Sequence, residues 1–247
     1  MTQEKEFDIL EMPLEGLAAY WLSVKKLLDS KKNRNVLAEE AAHTREPFIH
    51  HLLTATLSRL SEVRVVRLAK GRQESLLKDY ERKLALMRET LASMSKGEHT
   101  RVSYVRMLSH YPTAPIAEKL AFDMVQAMMD SLADEAADKA AILNVDHKFK
   151  PEQLMVKLLF YASRARHGDF KALEPYLRYV NSAYFTEGLT MLLDGFDTGF
   201  VEHRLKTLGE NILFETHLKM EMALEMCLGI KAKLTYDEVF TIAKAYL

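Results

Sequence analysis

Apolar residues recur at intervals of three and four positions along most of this chain, which is the period of an amphipathic α-helix. No clear alternation of apolar and polar residues, the pattern of a half-buried strand, interrupts that period. Only 9 glycines and 6 prolines are spread over 247 residues, so few positions force a helix to end. The sequence therefore predicts an all-α fold built of antiparallel helices.

The longest helical pattern runs from Phe48 to Met94, with a break near Gly71 as one alternative. Spacings of three and four alternate along its second half, which is the seam of a coiled-coil-like hairpin. We therefore expect a long helical arm here. The seam consists of Leu77, Tyr80, Leu84, Met87, Leu91 and Met94.

Three further helices are predicted from local signals. The pattern Ile116–Ala141 predicts a single helix because its Ala-rich end favours helical structure. Pro175 is expected to begin a helix. Thr235 is expected to cap the last helix, with Glu238 at the capping-box position.

The polar loop "NVDHKFKP" at residues 144–151 is the best candidate for a domain boundary. It predicts an N-terminal helical domain, residues 1–143, and a C-terminal helical module, residues 144–247. The two parts show a possible internal repeat.

A shift of the chain by 137 residues pairs Phe48 with Phe185 and Leu52 with Leu189. Both segments then read as a helix, a short helix, an aromatic-led helix and a long helix. The hypothesis is that the N-terminal domain is a diverged second copy of the C-terminal module.

Composition narrows the class of protein. The 34 basic and 35 acidic residues nearly balance, so no overall charge draws the chain to nucleic acid or to an anionic membrane. The single cysteine excludes an internal disulfide and a cysteine-based zinc site. No signal peptide is visible, and no apolar run reaches the roughly 18 residues of a membrane span. We expect a cytoplasmic protein.

No motif for catalysis, metal binding or cofactor binding is visible. The densest histidine group, His43 with His50 and His51, has adjacent members that point about 100° apart on a helix. Neither GxSxG nor a Gly-rich phosphate loop occurs. Cys227 lies in a Met-rich run and reads as a small buried apolar residue. We expect a non-enzymatic protein without a metal or a cofactor.

A basic stretch provides the alternative function, a nucleic-acid-binding or regulatory protein. It could contact phosphate groups or an acidic protein, although interspersed acids dilute its field and no aromatic residues stand ready to stack on bases. A solvated helix face is the simpler interpretation. The candidate residues are Arg59, Arg64, Arg67 and Lys70, within the longer segment Arg59–Arg88.

Two motifs follow one another in the C-terminal part. "ARHGDFKALE" (165–174) is followed by "YFTEGLTMLLDGFDTGF" (184–200) and then by a long helical pattern. In this order they resemble the cytoplasmic region of the flagellar stator subunit MotA. There a helix ending in A-R-x-x-G-x-x-A-L-E precedes an aromatic-led helix with F-x-x-G-L-x-L-x-x-D-G-x-D. The resemblance covers residues 152–226.

The resemblance implies a surface that binds another protein. In the stator family the matching arginine and glutamate meet the rotor protein FliG, which identifies Arg166 and Glu174 as the candidate pair. The alternative is that both charges only complement helix ends. Neighbouring charges complete the predicted surface: Arg164, Asp169 and Lys171.

The MotA family has transmembrane helices on both sides of this region, and the present sequence does not. It therefore cannot form the ion channel. The resemblance implies a flagellar-motor accessory or scaffold protein that binds a rotor or stator component, with self-association also open. Such a protein would be cytoplasmic, and partners could hold it at the inner face of the membrane.

Overall fold

A computed structural model of the protein describes residues 7–31, 35–134, 136–167 and 170–247. These residues form eleven α-helices and one 3₁₀ helix, and no strand occurs among them, which confirms the all-α fold. The elements are α1 (Leu14–Lys31), α2 (Asn35–His43), α3 (Pro47–Leu57), α4 (Glu62–Ser95), α5 (Thr100–Leu108), α6 (Glu118–Leu132), α7 (Lys139–Leu143), α8 (Pro151–His167), the 3₁₀ helix (Phe170–Tyr179), α9 (Ala183–Leu193), α10 (Thr198–Lys231) and α11 (Tyr236–Lys244). None of the described helices is both long enough and apolar enough to cross a membrane.

The chain divides into two compact units, and neither is a continuous segment. Unit 1 consists of residues 1–78 and 212–247, and unit 2 of residues 79–211. Helices α4 and α10 therefore each contribute to both units. The predicted boundary between residues 143 and 144 falls inside unit 2, because α5 and α6 before it both pack against α8 after it.

In unit 1, α1 packs against α2 and α11, and α2 packs against α3. The first half of α4 runs antiparallel to the second half of α10. This is seen where Lys70 pairs with Glu221 and the Gln73 amide donates to the carbonyl oxygen of His217 at 3.4 Å. The largest fully buried side chains of this unit include Trp21, Leu17, Phe48, Ile49, Leu52 and Leu53.

Unit 2 is built around α8, whose run "LMVKLLFYA" (154–162) is the most apolar stretch of the sequence. Every residue of that run except Lys157 is buried, because α5, α6 and the 3₁₀ helix all pack on α8. The second half of α4 runs antiparallel to the first half of α10. There Lys96 pairs with Glu202 at 2.6 Å, and the side chain of Leu84 lies near Gly209.

The two parts of the chain contain the same order of elements. Helices α3 and α9 both have 11 residues, α4 and α10 both have 34, and α5 and α11 both have 9. In each of these three pairs the second helix begins 136 residues after the first, as Ala183 does after Pro47, while α8 begins 137 residues after α1. The spacing of 137 used in the sequence comparison therefore fits α1 and α8 but is one residue too long for the other three pairs.

Burial follows the same correspondence. Val65 and Val201, Lys83 and Lys219, and Leu91 and Cys227 are pairs 136 residues apart in which both members are buried. Unit 1 thus contains α1, α2, α3 and the first half of α4, together with the second half of α10 and α11. Unit 2 contains the corresponding elements α8, the 3₁₀ helix, α9 and the first half of α10, together with the second half of α4 and α5.

Several local predictions are wrong in informative ways. Helix α4 is unbroken at Gly71, so the alternative of a break there is wrong, and both halves of this long helix pack against α10. The break lies earlier, between Leu57 and Glu62, where no regular helix occurs. The predicted helix Ile116–Ala141 is two helices, because the Asp138 carboxylate accepts from the backbone N–H of Ala141 at 3.1 Å and begins α7 there.

Candidate docking surface

The end of α8 and the 3₁₀ helix present the charged stretch predicted to bind a partner. Arg166 lies in the last turn of α8, and Glu174 lies in the middle of the 3₁₀ helix; both side chains are exposed. Leu173, next to Glu174, is fully buried and anchors the 3₁₀ helix, which also packs against α7, α8 and α9. The surface charge is therefore held on a segment with a fixed backbone.

Pro175 lies inside the 3₁₀ helix and does not begin a helix as predicted. The proline ring fixes φ near −65°, which suits a 3₁₀ helix, and disfavours α-helical geometry at the preceding residue. Glu174 is consequently not at a helix start. The alternative interpretation, that the charges complement helix ends, therefore does not apply to Glu174, whereas Arg166 in the last turn of α8 is consistent with it.

The other predicted members of the surface differ in their exposure. Lys171 is exposed, whereas Arg164 is half-buried and its Nε has no hydrogen-bond partner. Asp169 lies outside the described residues. Within the described part of the chain, neither Arg166 nor Glu174 takes part in an ion pair or a side-chain hydrogen bond.

A pocket of about 210 Å³ begins directly after Glu174 and was not predicted from the sequence. The guanidinium of Arg178 stacks over the ring of Tyr179, 4.8 Å from its centroid. Tyrosine and arginine are the side chains that most often carry binding energy at protein interfaces. The signal in the sequence was the run "PYLRY", which combines both. The pocket is lined by Leu132, Lys139, Leu143, Pro175, Tyr176, Arg178 and Tyr179.

The predicted basic patch does not form one continuous face. Arg64 and Arg67 are exposed on α4, but Lys70 is paired with Glu221 of α10. Arg59 is exposed in the turn before α4 and not on the helix. Only part of the predicted positive charge is therefore available to a phosphate.

A second pocket, of about 440 Å³, lies in unit 2 between α4, α5 and α10. Most of its cations are already paired: Arg106 contacts Glu89 at 3.3 Å and Glu98 at 2.8 Å, and Lys96 contacts Glu202. Such mutual pairing leaves little net charge for a small anion.

The histidine group expected not to bind a metal engages backbone carbonyls. His43 Nδ1 lies 2.6 Å from the carbonyl oxygen of Glu39, and His50 Nδ1 lies 2.9 Å from that of Ala41. Burial lowers the pKa of His51, which lies on the same helix as His50. The ring nitrogens of His43 and His50 are thus directed at different carbonyl groups and not at a common point.

Cys227 is expected to resist alkylation in the folded protein. Its Sγ is buried 2.8 Å from Thr56 Oγ1, and burial raises the pKa of the thiol to about 11. Because only the thiolate reacts, we expect iodoacetamide at pH 8 to modify the native protein at least about 100-fold more slowly than the urea-unfolded chain. Mass spectrometry of timed samples measures both rates. Equal rates would show that the thiol is accessible and ionisable.

Comparison with known proteins finds no matching family model, no matching curated protein and no matching solved structure. The resemblance to MotA therefore rests on the two motifs and their order in the sequence.

Proposed function

We propose that this chain is a non-enzymatic docking protein that binds another protein through Arg166, Glu174 and the adjoining pocket. The partner that the MotA resemblance implies is a rotor or stator component of the flagellar motor. The chain would then act in the cytoplasm as an accessory or scaffold protein. It could reach the inner face of the membrane through that partner.

The observation that carries this proposal is the state of the two charges. Arg166 and Glu174 are exposed and make no ion pair within the described residues, although both stand on elements packed into unit 2. Neither charge is committed to an ion pair within the described structure, so both remain available to an external partner. Exposed arginines elsewhere, such as Arg64, share this state, and the choice of Arg166 and Glu174 rests on the motif.

The pocket and the charges would contribute differently to binding. Exposed charges at the rim of an interface mainly orient the partner and raise the association rate. Burial of an apolar side chain of the partner against Tyr176 and Tyr179 would supply most of the affinity. An interface of this kind can form and dissociate repeatedly, as contact with a moving rotor requires.

The first test is the charge reversal Arg166→Glu. We expect it to weaken binding to the C-terminal domain of the rotor protein FliG from the same cell at least about 10-fold. The reason is that the substitution replaces attraction by like-charge repulsion at the interface. Isothermal titration calorimetry measures the affinity, and circular dichroism shows whether the helices are retained.

The matched control is Arg64→Glu, which changes the net charge equally at another exposed arginine that has no ion pair among the described residues. Equal weakening by both variants would mean that only net charge matters and would contradict the docking surface. Unchanged binding by Arg166→Glu with intact helices would contradict it as well. If nucleic acid is the true ligand, Arg64→Glu should be the more harmful variant and affinity should fall steeply with salt.

A further inference from the structure

Helices α5 and α11 occupy the same place in their respective units. Each follows a 34-residue helix after a four-residue connection and has nine residues. Helix α5 packs against α8, and α11 packs against α1, which is the counterpart of α8. Their buried residues also correspond at a spacing of 136: Ser103 with Val239, and Met107 with Ala243.

The outer face of α5 is covered by a segment of the same unit. The hydroxyl of Tyr104 donates to the carbonyl oxygen of Ile116 at 2.8 Å, and its ring lies 6.0 Å from that of Phe122 on α6. Tyr104 is consequently only 3% exposed. An ion pair of 2.8 Å between Arg101 and Glu118 joins the first turns of α5 and α6 at the surface.

Among the described residues of unit 1, no helix lies on the corresponding face of α11 as α6 lies on α5. Phe240, the counterpart of Tyr104, is 36% exposed, and Tyr236 is 40% exposed. Their rings stack with centroids 6.5 Å apart, and the ammonium of Lys244, on α11 itself, lies 4.5 Å from the centroid of the Phe240 ring. Both rings therefore keep exposed apolar surface against which another helix can pack.

The charges on α11 differ from those at the corresponding positions of α5, so a helix bound to α11 would differ from α6 in charge. Asp237 stands at the position that Arg101 occupies in α5, and it is exposed, as is Glu238 beside it. Where α6 carries Glu118 opposite Arg101, a helix opposite Asp237 should carry a basic residue.

We propose that the face of α11 formed by Tyr236, Phe240 and Asp237 binds an amphipathic helix of another protein. That helix packs as α6 packs on α5, with an aromatic side chain against Phe240 and a basic side chain beside Asp237. This inference does not depend on the proposed docking surface in unit 2. The two surfaces can be tested separately.

The probe is a fluorescein-labelled synthetic peptide of residues 115–133, the α6 segment, carrying Glu118→Lys. We expect saturable binding to the full chain, measured by fluorescence anisotropy. The substitution Phe240→Lys should weaken binding at least about 10-fold, because it places a charge where the aromatic contact forms. The control Phe214→Lys changes an exposed phenylalanine elsewhere in unit 1 and should leave the affinity unchanged.

A charge exchange tests the orientation. The wild-type chain should prefer the Glu118→Lys peptide over the unsubstituted peptide, and Asp237→Lys should reverse that preference. Binding should be unaffected by Arg166→Glu, which separates this result from the proposed function.

Four outcomes would overturn the proposal. One is no saturable binding of the Glu118→Lys peptide below about 1 mM, the weak end of specific recognition. Another is equal weakening by Phe240→Lys and Phe214→Lys, or a preference that Asp237→Lys leaves unchanged. A dimer in sedimentation velocity that Phe240→Lys converts to monomer would instead assign this face to a second copy of the chain.

Discussion

Replacing Trp21 with alanine is expected to lower the free energy of unfolding by about 3–5 kcal/mol. Trp21 is fully buried on α1, at the centre of unit 1, and its ring packs edge-on against Tyr20 with centroids 5.5 Å apart. The alanine leaves a cavity that the packed helices fill only partly. Urea unfolding followed by circular dichroism at 222 nm measures the change, because the variant lacks the only tryptophan.

The matched control for this cavity is Phe214→Ala in the same unit. Phe214 is 64% exposed on α10, so its removal should change stability by no more than about 0.5 kcal/mol. Trp21→Phe should lower the free energy of unfolding by less than the lost side-chain volume alone suggests. The reason is that Nε1 of Trp21 is buried without a hydrogen-bond partner, and phenylalanine removes that group. Similar losses for Trp21→Ala and Phe214→Ala would contradict the described core of unit 1.

Glu46 is expected to make the protein less stable as the pH rises from 4.5 to 7. It precedes α3, and its Oε2 accepts from the backbone N–H of Ile49 at 2.6 Å, while its buried Oε1 has no partner. Burial raises the pKa of the carboxyl from its ordinary value of 4.5 to about 7, against the lowering effect of the hydrogen bonds from Ile49 and Phe48. The folded protein therefore holds this proton to a higher pH than the unfolded chain does.

The sign follows from that difference in proton binding. The Glu46 contribution is complete below pH 4.5 and is lost as the pH passes 7, so the wild type should lose about 3 kcal/mol relative to Glu46→Gln across this interval. Glu46→Gln keeps an oxygen that caps α3 but cannot ionise, and should show a much smaller loss. Urea unfolding at several pH values between 4.5 and 8 provides the comparison.

Glu238→Gln is the control for the effect of pH. Its carboxylate also caps a helix of unit 1, but hydrogen bonds from Thr235 lower its pKa. The protonation of Glu238 therefore changes the stability of the protein only at pH values below 4.5. This variant should retain the loss of stability between pH 4.5 and 7. Equal changes of stability in the wild type and in Glu46→Gln across that range would show that Glu46 is hydrated or repositioned in solution.

Features that depend on residues close in the sequence were predicted well. The all-α fold follows from apolar spacing alone, and the capping box of Thr235 and Glu238 is present as predicted. The seam of α4 is buried from Tyr80 to Met94. These features are set by hydrogen bonds within one helix and by which of its faces is apolar.

Errors arose where a local preference competed with another interaction. The Ala-rich segment after Leu132 favours a helix, but the hydrogen bond from the N–H of Ala141 to the Asp138 side chain begins a new one. Gly71 disfavours a helix by about 1 kcal/mol, which is less than the packing of α4 against α10 supplies. Pro175 reads as a helix start, yet the anchoring of Leu173 places it inside a 3₁₀ helix.

The candidate sites were predictable only in part. Arg166 and Glu174 could be named from a motif, but their lack of ion-pair partners in the described structure could not. The pocket after Glu174 combines residues of α6 and α7 with residues of the 3₁₀ helix that lie more than 30 positions later in the sequence. In the sequence, Tyr236 and Phe240 resemble core residues of an amphipathic helix. Only the comparison of α11 with α5 in the structure distinguishes them from core residues.

The sequence by itself determined that this protein is helical and where most of its helices lie, and it provided the hypothesis that its elements recur in the same order. Each of those properties is encoded in a few neighbouring residues. Only the tertiary structure decided that α4 and α10 are divided between two units, and that α5 is covered while α11 is not. The pairing of α4 with α10 depends on burial of apolar surface between segments more than 100 residues apart, which no local pattern specifies.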